Sequence, residues 1–243
     1  MKAKTIHTSR TLMFSELSRV MDHAVQDDSY LESLNENVAN KRTKINKDKT
    51  TGFIKQLYDF NPANPPFAGF KYFWQTAGKE DKPLLALLFA IGRDQLLAES
   101  LPVILSSYPG YKVSVESVEA NIESAHPEQY SANTRKSLAQ NIASSWKQAG
   151  YITGKVKNIR TKTNPTYQVV AFALFLSYLN GDRGDFILSS LWVKALDLIE
   201  SRLRELIIEA MKLDMVQYQH SGAVTTISFE HLINKIGIHG IEG

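Results

Sequence analysis

Cysteine is absent from this 243-residue chain, which excludes disulfides, thiolate zinc sites and thiol nucleophiles and gives no sign of an oxidising compartment. Long apolar runs are missing too. The two most apolar stretches, Pro83–Gly92 and Val169–Leu179, fall short of the roughly 20 residues needed to cross a bilayer, so they read as buried core helices. The opening Met1-Lys2-Ala3-Lys4-Thr5-Ile6-His7 lacks the apolar core of a secretory signal, and a cytoplasmic protein without membrane contact is expected. Phosphate-loop, G-x-G-x-x-G and H-E-x-x-H patterns do not occur, and the six histidines, His7, His23, His126, His220, His231 and His239, show no metal-ligand pairing at helical spacing. Asp94 and Glu99 fall on one apolar helix. They could mark a carboxylate site, but surface exposure, or pairing of Asp94 with the adjacent Arg93, is favoured, because a nuclease would need carboxylates clustered around Mg²⁺. No catalytic residue, metal or cofactor is therefore expected.

What the chain does have is core-forming material: 43% hydrophobic and 10% aromatic residues, enough to argue against disorder over most of its length. The formal charge of +3 is mild, so the distribution of charge matters more than the total. Acidic residues number 25 in the whole chain, yet none occurs between Glu128 and Asp182. Within that gap, residues 131–162 carry Arg135, Lys136, Lys147, Lys155, Lys157, Arg160 and Lys162. Positive potential can build there without internal neutralisation, as attraction of a phosphate backbone requires. A solvated basic face on an ordinary helical domain is the competing explanation.

The pattern inside the gap favours nucleic acid. Ser131 suits a helix N-cap and Gly150 a left-handed C-terminal position. On the helix between them Leu138, Ile142 and Trp146 stack as a buried stripe. The opposite face carries Asn133, Lys136, Gln140, Ser144 and Lys147, residue types that reach base edges and phosphates in a major groove. A shorter helix precedes, Ser114–Ser124, and short strands follow at Tyr151–Lys157 and Tyr167–Val170 around a basic loop. That order matches a winged helix-turn-helix, with Lys155, Lys157, Arg160 and Lys162 as the wing that holds flanking phosphates. A second basic run, Lys41–Lys55, places Lys41, Arg42 and Lys44 as secondary phosphate contacts or, equally, as part of a solvated linker.

Elsewhere the periodicity is mainly helical. Helical stripes cover Ser9–Asn40, Gly52–Phe60, Lys82–Tyr108, with Pro102 as a kink or helix start, and Phe172–Leu179. Leu191–Ile199 and Ser201–Lys212 continue as amphipathic helices, Val216–His220 and Ala223–Phe229 as a hairpin turning at Ser221-Gly222, and Glu230–Ile236 as a short last helix. The final helix and hairpin repeat the winged order, but Glu205 and Glu209 beside Arg202, Arg204 and Lys212 make that helix a poor reader of DNA and better suited to protein contact or core packing. Aromatic residues Phe67, Phe70, Tyr72, Phe73 and Trp74 cluster after the break Asn61–Pro66; a satellite core under the N-terminal helices is favoured over a base-stacking platform. The fold class expected is mainly α, a helical N-terminal domain (1–82) followed by a winged helix-turn-helix-like domain (83–185) and a helical and hairpin region (186–243).

Four phrases, Arg10-Thr11-Leu12-Met13, Asn37 to Thr43, Ala90-Ile91-Gly92-Arg93-Asp94 and Asn141 to Gly150, together resemble small proteins of bacterial phage-defence islands, of the kind represented by the BrxA component of BREX systems. The resemblance implies a helical protein with a winged-helix-like DNA-binding part, no catalytic centre, and other defence-system proteins as partners. The reading from the residues alone is a non-enzymatic protein that binds double-stranded DNA. Its rivals are a helical RNA-binding module that stacks bases on Phe67–Trp74, and an interaction scaffold with no nucleic-acid role. Oligomeric state is not legible.

Overall fold

The structure, a computed structural model, describes residues 3–25, 28–36, 43–154, 157–222 and 224–238. It is mainly helical, with two small antiparallel hairpins among the described residues. The helices in the first part of the chain are α1 (Phe14–Ala24), α2 (Tyr30–Asn35), α3 (Lys44–Tyr58), α4 (Pro65–Thr76), α5 (Lys82–Ile91), α6 (Gln95–Glu99), α7 (Leu101–Ser106), α8 (Val115–Ala125) and α9 (Ala132–Gln148). Strands β1 (Ile152–Thr153) and β2 (Ile159–Arg160) follow, then α10 (Tyr167–Leu179), α11 (Asp185–Leu188), α12 (Leu191–Ala195), α13 (Glu200–Lys212), strands β3 (Gln217–Ser221) and β4 (Val224–Ser228), and α14 (Glu230–Lys235). No described helix is long and apolar enough to cross a membrane.

The chain forms two compact units that interleave in sequence: residues 1–60 with 90–162, and residues 61–89 with 163–243. Three consecutive regions were the expectation. The two divisions differ because each unit is closed by contacts between segments far apart in the chain, which local periodicity does not encode.

In the first unit, local chemistry sets the helix starts. Ser114 and Ser131 accept hydrogen bonds from Ser117 N and Thr134 N at the heads of α8 and α9, satisfying amides that the helix leaves unpaired. Thr43 does the same for α3 through Asn46 N, so this helix begins at Lys44, well before the expected Gly52, and Lys44–Lys55 of the basic run is helical. Pro102 sits in the first turn of α7, where proline costs no hydrogen bond. Leu138, Ile142 and Trp146 are buried as the stripe predicts; Trp146 Nε1 donates to Ser100 Oγ at 2.8 Å, and its ring meets Tyr151 edge-on at 4.9 Å.

After α9 the chain turns through Gly150 (φ 86°), and β1 pairs with β2, Ile152 opposite Arg160 and Thr153 opposite Ile159. Gly154 turns this hairpin at φ +89°, and a Cβ there would meet Lys157 O at 2.3 Å. The second strand is thus Ile159–Arg160 and not the expected Tyr167–Val170, which is the first turn of α10. Val169 and Val170 favour strands locally, but they belong to an apolar run long enough to be a helix buried on all faces. A third chain segment lies alongside β2: Lys112 bridges Ile159, Gly110 N donates to Arg160 O and Arg160 N to Tyr111 O, both at 2.8 Å, and Val113 N donates to Asn158 O at 2.7 Å.

The aromatic cluster of α4 lies in the core of the second unit. Phe70 packs against Phe89 and Phe172 at ring distances of 4.9 and 5.9 Å, and Phe73 against Phe172 at 5.3 Å. The cluster is a core, as favoured, and within its unit it packs against α10. With Phe67, Phe70, Phe73 and Trp74 all buried, it offers no stacking platform. Gly69 permits the close approach of α4 to α10, because a Cβ there would stand 2.3 Å from the Phe175 ring. In the same unit β3 pairs with β4, Tyr218 opposite Ile227.

Candidate nucleic-acid interface

Helix α9 is presented by two neighbours, α8 and the β1–β2 hairpin. Asn133, Lys136 and Gln140 are exposed on its outer face, and Ser144 and Lys147 are half-buried on the same stripe. Between the end of α9 and the hairpin runs an open groove of about 600 Å³, lined by Lys147, Gly150, Ile152, Thr153, Gly154 and Thr161. Beyond it Lys157 and Lys162 are exposed. These side chains form one basic surface along the helix and the hairpin.

Two of the expected contacts are committed elsewhere. Arg160 is 1% exposed; its guanidinium donates to Ile104 O at 3.2 Å, to Tyr151 O at 3.4 Å and to Thr161 O, and it stacks 5.1 Å from the Tyr151 ring centroid. It is the internal fastener of the hairpin and not a phosphate contact. Arg135 is held by α8 through Glu123 at 2.8 Å and Glu119 at 3.8 Å, and by Tyr130 O at 3.0 Å. The segment is free of acids in sequence, but α8 brings carboxylates to it in space. Lys155, Lys41 and Arg42 lie outside the described residues, and Lys44 is exposed at the head of α3.

Lys112, bridged to Ile159 of β2, is an exposed cation that sequence reasoning missed. A single bridge residue between a turn and a helix cap leaves no periodic signal. Lys112 and Lys136 both act on Glu116, whose carboxyl is lowered below its ordinary pKa first by the Ser114 hydroxyl that donates to it at 2.6 Å, and then by these lysines among lesser causes. Among the described residues, the cations of this surface are therefore Lys112, Lys136, Lys157 and Lys162, all exposed, and the half-buried Lys147.

Beneath α9 lies a buried polar network. His7 Nδ1 is 2.9 Å from Asp94 Oδ2, and His7 Nε2 is 2.8 Å from Ser145 Oγ. Ser145 Oγ also accepts from Leu12 N at 2.8 Å and donates to Asn141 O at 3.0 Å. The order Ser–His–Asp matches that of a hydrolytic triad. However, His7 and Ser145 are fully buried and Asp94 nearly so, and the groove beside α9 is lined by none of them. Asp94 is thus not the surface residue expected beside Arg93. It caps α6 through Leu97 N at 3.0 Å and accepts from Ile6 N at 2.8 Å, while Arg93 reaches Asp59 at 3.9 Å and Gln56 O. Burial pushes the Asp94 carboxyl upward, but the hydrogen bond and charge of His7 and the amides of Ile6 and Leu97 outweigh it and leave it below the usual carboxylate value. Asn141 Nδ2 donates to His7 O at 2.7 Å and Gln148 Nε2 to Thr11 Oγ1 at 2.8 Å, so the segment before α1 is fastened along the inner side of α9.

On α13 the charges pair within the helix, Arg202 with Glu205 at 2.9 Å and Arg204 with Glu200 at 2.8 Å, and Ile208, Met211 and Leu213 are exposed beside them. That surface is not a basic reader. No protein-family model matches the chain, and no curated protein or solved structure is significantly similar to it.

Proposed function

We propose that this chain is a non-enzymatic protein that binds double-stranded DNA through a winged helix-turn-helix. One observation carries the reading: the order helix α7, a single bridge residue at Lys112, helices α8 and α9, then β1, a basic turn and β2, with Lys112 bridged to β2. In that arrangement the second helix of the pair enters the major groove and the hairpin lies along the flanking backbone. Asn133, Lys136, Gln140 and Ser144 would face base edges and phosphates. Lys147, Lys157, Lys162 and Lys112 would hold the backbone on either side.

The test is a duplex-binding titration by anisotropy across a salt series. Binding is expected at low salt, with log K falling against log salt at a slope of about −4 if four or five lysines each neutralise one phosphate. Lys136→Glu combined with Lys147→Glu is expected to weaken binding at least tenfold, because it reverses two of those charges (~1.4 kcal/mol per factor of ten). Absence of duplex binding at low salt, or an unchanged affinity in the double variant, sinks the reading. The phrases that resemble BrxA proteins extend the proposal to an accessory role in a bacterial phage-defence complex. That extension expects other defence proteins to co-purify with the chain, and phage restriction to weaken when its gene is deleted.

A further inference from the structure

The turn before α8 carries the two most exposed aromatic rings of the first unit. Tyr108 is 77% and Tyr111 69% exposed, and the rings touch edge to face, with centroids 6.5 Å apart and planes at 65°. A tyrosine ring has enough apolar area that folding ordinarily buries much of it. Here two in contact are left in water. Looseness of the chain does not explain it: Tyr111 N donates to Tyr108 O at 3.0 Å, and the Gly110 and Arg160 amides pair this turn with β2. Arg160, buried beneath, fixes β2 in turn. The rings are therefore mounted on a backbone with its hydrogen bonds made.

Their surroundings select the occupant. Lys112, exposed, follows Tyr111 directly and is bridged to Ile159 of β2. A corner of two aromatic rings bordered by an exposed lysine fits a ligand with flat faces and a polyanionic backbone. Every base has a face for stacking, but in a duplex those faces are covered by neighbouring pairs. We infer that Tyr108 and Tyr111 form a stacking site for unpaired bases of a single strand continuous with the duplex on α9, so that the preferred substrate is a duplex with a single-stranded extension. The turn lies two strand spacings beyond β1, about 10 Å across the sheet, within reach of a short overhang. This inference rests on the duplex-binding reading for the placement of the double-stranded part.

The experiment compares a blunt duplex with the same duplex carrying an overhang of about ten thymidines, at either end polarity, since single-strand sites span about 4–16 nucleotides. The overhang is expected to tighten binding about tenfold, as one or two stacked bases supply. Tyr108→Ala with Tyr111→Ala is expected to abolish that gain and leave blunt-duplex affinity unchanged, because both rings are exposed and their loss opens no core cavity. Tyr108→Phe with Tyr111→Phe keeps the rings and is expected to keep the gain. No gain from the overhang, or a gain that survives the alanine variant, overturns the inference while leaving duplex binding intact. If the blunt duplex does not bind at all, the duplex reading fails, and the free thymidine strand decides the tyrosine site alone: binding lost in the alanine variant supports it, and no binding overturns it.

Discussion

His7, Asp94 and Ser145 show how costly a buried polar cluster is to break. Removing one partner of a buried hydrogen-bonded charge leaves the other unpaired in a medium that solvates it poorly. Asp94→Ala is accordingly expected to lower the unfolding free energy by roughly 3–5 kcal/mol, measured by urea denaturation. The pH dependence follows from the same carboxyl. Its folded pKa lies below the ordinary 3.8, so its contribution is complete above that value and is lost as pH falls through it toward the lowered one. Unfolding free energies measured from about pH 6 to about pH 2.5 should fall more steeply for the native chain than for Asp94→Asn. None of this was visible locally. Asp94 stands next to Arg93 in sequence, whereas its partner His7 is 87 residues away. Arg160 misled for a similar reason: its charge counts equally in composition whether it points outward or, as here, into three carbonyls.

At the scale of the element, α9 separates what holds the fold from what would touch a ligand. Ile142→Ala opens a cavity in the buried stripe and is expected to destabilise the first unit by about 2–5 kcal/mol. Lys136→Glu with Lys147→Glu alters only the outer face, and the thermal midpoint should move little, in keeping with changes of about 0.5 kcal/mol or less per surface site. Calorimetry on the two variants checks the contrast. Helix α9 was legible because its signals are local: the Ser131 cap, the Gly150 terminator and the spacing of Leu138, Ile142 and Trp146. The hairpin after it was legible only as an event. Its second strand is two residues long, too short to alternate, while Val169 and Val170 imitate a strand within a helix. The exposed face of α9 was readable from the wheel, but the carboxylates that α8 sets against Arg135 were not, since they depend on how two helices pack.

For the whole molecule, the interleaving of the two units has direct consequences. Residues 61–89 belong with 163–243, and the rings of α4 find Phe172 only when α10 is present. A chain cut after Lys162 should therefore leave Phe70 and Phe73 without their principal cover and self-associate, which size-exclusion chromatography would detect; a native-like monomer would contradict this packing. The sequence suggested three consecutive regions because proline breaks and stripe periods are local, whereas the partition rests on pairings across roughly a hundred positions. Mainly helical character and paired hairpins were readable; which helix closes which core was not.

The fastening of residues 7–12 beneath α9 also bears on the order in which the chain can fold during synthesis. Ser145, which His7 meets, follows it by 138 residues, so the first unit cannot close until α9 has been made. By then α4 has been released with its aromatic face bare, and α10 has yet to be translated. The nascent protein thus passes through an interval in which one core is ready to form while half of the other waits uncovered, the circumstance in which a chaperone would be most needed.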